Sequence, residues 1–156
     1  MKYFSITAVV VAVLAAIGIM TVRSTVGGSV QSAETEDDAS FYSLSTHSLE
    51  GEPVELSEFD GRVALVVNVA SKCGLTPQYE GLEALHRELS DQGFTVLGFP
   101  SNDFMNQEPG TPEEIRTFCS STYGVTFPMF EKTQVTGTEM DEAYRFLTRD
   151  LEAPTW

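Results

Sequence analysis

Val63-Ala64-Leu65-Val66-Val67-Asn68-Val69-Ala70-Ser71-Lys72-Cys73-Gly74-Leu75-Thr76-Pro77 is the stretch that decides how this chain folds. Its first residues, Val63 to Val67, form a short continuous apolar run, the pattern of a strand covered on both faces. Thr76 and Pro77 then carry the signature of a helix start: a capping hydroxyl, followed by a first helical residue that needs no N–H. Between strand and helix stands Cys73. A thiol in such a turn meets unpaired backbone N–H groups and the positive end of a helix dipole, and Lys72 adds a neighbouring cation; all three favour thiolate. The bland alternative, a buried inert thiol, fits an apolar setting better than this one.

Outward from this stretch, Phe41 to Phe59 alternates apolar and polar residues around the turn signal Glu50-Gly51-Glu52-Pro53, which predicts a hairpin ahead of the core strand. Downstream, Tyr79, Leu82, Leu85, His86 and Leu89 fall on one helical face and Gly93 ends the helix. His86 on that stripe reads as a packed histidine. Phe94-Thr95-Val96-Leu97-Gly98-Phe99 is a second buried strand, and Pro100 opens a polar loop running to Gly110, the kind of segment that carries function. Thr111-Pro112-Glu113-Glu114 combines a cap, a first-turn proline and a capping-box acid, which predicts a helix from Pro112 to Tyr123 with Ile115, Phe118, Cys119 and Thr122 inward. Phe127-Pro128-Met129-Phe130 reads as extended, and Met140, Ala143, Tyr144, Leu147 and Leu151 mark one more helix. Strand, helix, strand, helix in this order predicts an α/β domain with a parallel pair at its centre and a nucleophile at the carboxyl end of a strand, where open sheets place their sites. Two core strands are fewer than a sheet normally has.

The remainder of the chain bounds its class. Lys2 precedes an apolar stretch from Phe4 to Val22 that ends at Arg23, so residues 1–23 read as a signal peptide or a signal anchor, placing the protein outside the cytoplasm or in its membrane. Val30 and Ser32 suit a peptidase cutting before Ala33; cleavage and retention both stay open. Residues 24–40, with Glu34, Glu36, Asp37 and Asp38, form an acidic linker, and residues 41–156 form the folded domain. A net charge of −14, with Lys2, Lys72 and Lys132 the lysines, disfavours nucleic acid and anionic membrane surfaces as partners. Cys73, Cys119, His47 and His86 are scattered without metal-ligand spacing, so neither a metal site nor a cofactor is expected.

Three stretches resemble the glutathione peroxidase family, within the thioredoxin-like superfamily. They are Asn68-Val69-Ala70-Ser71-Lys72-Cys73-Gly74-Leu75-Thr76; Leu97-Gly98-Phe99-Pro100-Ser101-Asn102-Asp103-Phe104 followed by Gln107-Glu108-Pro109-Gly110; and Phe127-Pro128-Met129-Phe130-Glu131-Lys132. The resemblance implies a thioredoxin-like fold with an N-terminal hairpin. It also implies a thiol peroxidase acting on hydrogen peroxide and organic or lipid hydroperoxides, recycled by thioredoxin or glutathione. By the same resemblance Cys73 is the peroxidatic residue, Gln107 its amide partner, and Trp156 the tryptophan of a Trp-Asn pair whose asparagine would follow it. The family places two further strands and a helix after that pair, so the central sheet is expected to be incomplete.

Cys119 lies where cysteine-using members of the family carry a resolving cysteine, one residue earlier than the commonest position. Three readings stay open: a resolver, a buried apolar residue sharing a face with Ile115, and a permanent disulfide with Cys73. Threonine at position 76, where a thioredoxin has its second cysteine, argues against disulfide exchange as the main activity. The expected reductant is a protein dithiol, since glutathione use relies on surface basic residues that are few here. A monomer is expected. The alternative from another class is an inactive truncated relative acting as a redox-responsive binding module.

Overall fold

The computed structural model describes residues 40–149. The apolar leader, most of the acidic linker, Leu151 and Trp156 lie outside them. The predicted hairpin is present but short: β1 (Ser45–His47) pairs antiparallel with β2 (Pro53–Glu55). At the centre, β3 (Val63–Val69) and β4 (Phe94–Pro100) run parallel, in a register from Val63 opposite Phe94 to Val69 opposite Pro100. Helix α1 (Gln78–Leu89) connects them, α2 (Pro112–Tyr123) follows β4, and α3 (Glu142–Thr148) comes last. This is the expected α/β arrangement with its parallel pair. No helix among the described residues is long and apolar enough to cross a membrane.

Burial separates the two central strands. In β4 every residue from Thr95 to Pro100 is buried, whereas in β3 Val63 is 69% and Leu65 36% exposed, so β3 is not covered on both faces as its composition suggested. The reason is position: β4 has β3 on one side and a bridge from Gly98 to Met129 on the other, while β3 has one ladder partner among the described residues. Alternation along β4 builds a core on each side. Val96 packs with Tyr79, Ile115, Cys119 and Phe127. Leu97 and Phe99 pack with Phe41, Leu56 and Phe130 on the other side.

The extended segment 127–130 joins hairpin and sheet. Gly98 N–H donates to Pro128 O and Phe130 N–H to Gly98 O, both at 2.9 Å. Leu49 N–H donates to Met129 O and Glu131 N–H to His47 O. Gly98 permits this approach because a Cβ there would stand 2.6 Å from Met129 Sδ and 3.0 Å from Phe127 Cε2. The capping box of α2 is formed as predicted, Glu114 N–H donating to Thr111 Oγ1 and Thr111 N–H to Glu114 Oε2. Its inner face is Ile115 and Cys119 with part-buried Phe118; Thr122 is exposed, because the helix turns it past the core. In α3, Leu147 is likewise 40% exposed, and Phe146 packs toward the core in its place, against Phe41.

Helix α1 buries a charge that its apolar stripe did not announce. Glu83 is 4% exposed and accepts hydrogen bonds from Thr126 N–H and Thr126 Oγ1, both at 2.7 Å, and from Arg87 Nε. Burial alone would raise its pKa, but the bonds from Thr126 and Arg87 outweigh that and hold the carboxyl below its ordinary value. A depressed folded-state pKa means stability that is complete above the unfolded value of about 4.3 and is lost as pH falls through the folded one. Glu83→Ala is therefore expected to cost about 2–3 kcal/mol at neutral pH. That cost fades on acidification, which thermal melts of both proteins across the acid range will show. His86, on the same helix, accepts a hydrogen bond from Val96 N–H through Nδ1 and packs edge-on against Phe127. Burial lowers its pKa, so it is a neutral packing residue, in line with its place on the stripe.

Candidate active site

Parallel strands with matched ends deliver their following loops to the same place. Val69 stands opposite Pro100, and Ser101 N–H donates to Val69 O at 3.0 Å, so the turn after β3 and the loop after β4 leave the sheet side by side. Lys72 N–H then donates to Gln107 O at 2.9 Å, which stitches the two loops directly. Cys73 and Gln107 consequently line one cavity of about 280 Å³, with Tyr79, Leu82, Ser101 and Phe104 among its walls.

Thr76 does not cap α1. Its hydroxyl accepts from Cys73 N–H at 2.9 Å and donates to Ala70 O at 2.8 Å, so both hydrogen-bonding directions are spent on the cysteine turn. The helix begins at Gln78, without a side-chain cap. One backbone group reaches the sulfur, Leu75 N–H at 3.4 Å from Sγ. Cys73 is partly exposed, Cys119 is buried, and both are free thiols, so the two are not joined in a disulfide. Lys72 lines a separate cavity of about 450 Å³ with Ser71, Glu108 and Glu114.

The loop that carries Gln107 is held by its own side chains. Asn102 Oδ1 accepts from Glu108 N–H, and Asp103 Oδ2 accepts from Val135 N–H, Thr136 N–H and Thr136 Oγ1. Between these anchors Met105 and Asn106 both sit at φ 53°, a left-handed region that Asn tolerates and Met does not favour. The turn they make brings Gln107 N–H back to Phe104 O at 3.2 Å. Leu75, Phe104 and Met105 are 64%, 36% and 83% exposed, giving the two loops an apolar surface.

Cys119 is 1% exposed in the middle of α2, packed with Tyr79 and Ile115. Burial raises its thiol pKa, an effect eased by the neighbouring Tyr79 hydroxyl and reinforced by the Glu108 carboxyl. Glu108, wholly buried, is the site residue that sequence reasoning passed over: its proximity to Ser71 is a tertiary fact, and the one local signal was its place beside Gln107.

A sequence profile described as glutathione peroxidase matches residues 41–148. The hydroperoxy fatty acid reductase gpx1 of Synechocystis is 54% identical over 107 residues, covering 69% of this chain and 63% of that protein. The thioredoxin/glutathione peroxidase BtuE of Escherichia coli is 56% identical over 107 residues, covering 69% and 57% respectively. The glutathione peroxidase-like peroxiredoxin gpx1 of Schizosaccharomyces pombe is 54% identical, covering 69% and 68%. The chain thus spans less than two thirds of the Synechocystis and Escherichia proteins. Among solved structures, T. cruzi GPX1 superposes with a TM-score of 0.57 at 30% identity, covering 76% of this chain and 74% of that one.

Proposed function

The chain belongs to the glutathione peroxidase family, and from that premise we propose that it is a thiol-dependent peroxidase whose nucleophile is Cys73. Cys73 sulfur attacks one peroxide oxygen, the O–O bond breaks, and the sulfur becomes a sulfenic acid while the other oxygen leaves as water or an alcohol after taking a proton. Charge develops on the departing oxygen, so a donor aimed at it lowers the barrier. The observation that carries this reading is the shared cavity, which Cys73 and Gln107 both line. Trp156 is proposed as a further donor on the family resemblance alone.

Recycling follows from the second cysteine. In our reading Cys119 attacks the sulfenic acid with loss of water, forming a disulfide after α2 opens, and a protein dithiol of the thioredoxin kind reduces it. The exposed Leu75, Phe104 and Met105 suit hydroperoxides with apolar tails alongside hydrogen peroxide. The same proposal places the protein outside the cytoplasm, or tethered to its membrane through residues 4–22.

Peroxide consumption by the full chain, supplied in turn with thioredoxin and with glutathione, tests the proposal, and faster turnover with thioredoxin is the expected result. A folded chain that consumes no peroxide with either would return the binding-module alternative. Gln107→Ala is expected to lower the rate of Cys73 oxidation about 10²-fold, as loss of one oxyanion donor commonly does. Stopped-flow with hydrogen peroxide will measure it, and a loss below about threefold would remove Gln107 from the reaction.

A further inference from the structure

Glu108 combines features that a merely structural carboxylate does not need. Its side chain is 0% exposed, and its Oε2 accepts both the Ser71 amide at 2.8 Å and the Ser71 hydroxyl at 2.9 Å. Its Oε1 is equally buried and has no hydrogen-bond partner among the described residues. The backbone is pinned too: the amide donates to Asn102 Oδ1, and the carbonyl accepts from Lys132 Nζ at 3.2 Å. With the bond from Lys72 N–H to Gln107 O, two crosslinks join adjacent residues of one loop to adjacent residues of the other, and Cys73 comes next in the chain.

Charges reach this carboxyl from every element around it. Lys72 from the cysteine turn and Lys132 from the segment after Phe130 favour the carboxylate. From α1 and α2, the Tyr79 hydroxyl and the Cys119 thiol feel its charge. Burial outweighs the bonds from Ser71 and the two lysines and pushes its pKa up, so it takes up a proton at a higher pH than an exposed glutamate does. A hydrogen bond to an ionised acceptor is roughly twice as strong as one to a neutral acceptor, so the grip on Ser71 depends on the proton.

We propose that Glu108 is a positioning residue for the chemistry of Cys73: as a carboxylate it clamps Ser71 and so fixes the thiol-bearing turn against the Gln107 loop, and on protonation it loosens that clamp. The proposal deepens the peroxidase reading and rests on it for its kinetic consequence. Below the pH at which Glu108 takes up its proton, Cys73 reacts more slowly than its own ionisation accounts for.

The test uses the full chain and two readouts. The first is the single-turnover rate of Cys73 with hydrogen peroxide as a function of pH; the second is hydrogen exchange at the Ser71 and Lys72 amides, which needs no peroxide. Glu108→Gln keeps an acceptor but cannot ionise. It is expected to slow Cys73 about tenfold near neutral pH, the difference between a charged and a neutral acceptor, and to erase the extra acid-side fall. Ser71→Ala, which removes one of the two bonds, is expected to lie between Glu108→Gln and wild type, and it serves if Glu108→Gln does not fold. Ser71 protection, referred to the intrinsic exchange rate at each pH, is expected to fall in Glu108→Gln and in acidified wild type. A Glu108→Gln protein with the wild-type pH profile and wild-type Ser71 protection overturns the clamp. A wild-type Cys73 that does not react with peroxide overturns the peroxidase reading instead, and the exchange arm then decides the clamp by itself.

Discussion

Cys73→Ser is expected to reduce peroxide consumption to that of buffer, a loss on the order of 10³-fold or more. The chemistry requires an atom that can take up oxygen and then give it up as water when a thiol attacks it. Sulfur does so through its sulfenic acid, whereas a serine hydroxyl has no corresponding oxidised state and is a far weaker nucleophile. The substitution leaves the turn intact, because the bonds that shape it run through Cys73 N–H, Thr76 Oγ1 and Ala70 O and not through the sulfur. Only the contact from Leu75 N–H to Sγ changes its partner atom. Stability should therefore stay within about 0.5 kcal/mol of wild type. Peroxide consumption and a thermal melt on the same preparation separate lost chemistry from lost folding. Residual thiol-dependent turnover would move the nucleophile to Cys119.

Phe127→Ala is expected to destabilise the domain by about 3–5 kcal/mol, a large part of the roughly 5–15 kcal/mol that holds a domain of this kind together. Phe127 is 1% exposed and lies nearly parallel to Tyr79, with ring centroids 6.3 Å apart; His86 meets it edge-on at 6.0 Å. Its ring also occupies the space that Gly98 leaves open beside β4. Truncation would leave α1 and β4 facing a void that neither element can close, because α1 is anchored separately through Glu83 and Thr126. Tyr79, a wall of the Cys73 cavity, would lose one of its two stacked neighbours and keep Tyr123. The melting temperature should fall by roughly 10–20 °C. Phe127→Leu keeps most of the volume and should cost less than half as much; equal losses for the two would mean that ring stacking and not volume holds this junction.

The sequence made legible whatever depends on neighbours in the chain. The apolar runs before Cys73 and before Pro100 became β3 and β4, and Thr111-Pro112-Glu113-Glu114 became a capping box, because strand burial and helix capping are decided within a few residues. Cys73 and Gln107 could be named from motif resemblance, and the structure brings them to one cavity. The misses have a common cause. Thr76 looked like a cap because cap statistics count hydroxyls before helices; here the same hydroxyl answers Cys73 N–H and Ala70 O, an arrangement set by how the turn closes. Glu83 and Glu108 drew no reading of their own from the sequence, because carboxylates are usually solvated and the groups that compensate these two, Thr126 and Ser71, lie far away in the chain. Exposed Leu65 and Leu147 follow from which neighbours surround β3 and α3, which apolar patterning does not encode.

The junction at Gly98 has a consequence for how the molecule breathes. The hairpin reaches the sheet through segment 128–131, and that segment is fastened to β4 by two hydrogen bonds at a residue without a side chain. Lys132, next along, holds the carbonyls of Glu108 and Gly110. Detaching the segment would remove these hairpin contacts and slacken the rear of the Gln107 loop in one motion, so the two regions are expected to open together, although one lies before Cys73 in the chain and the other after it.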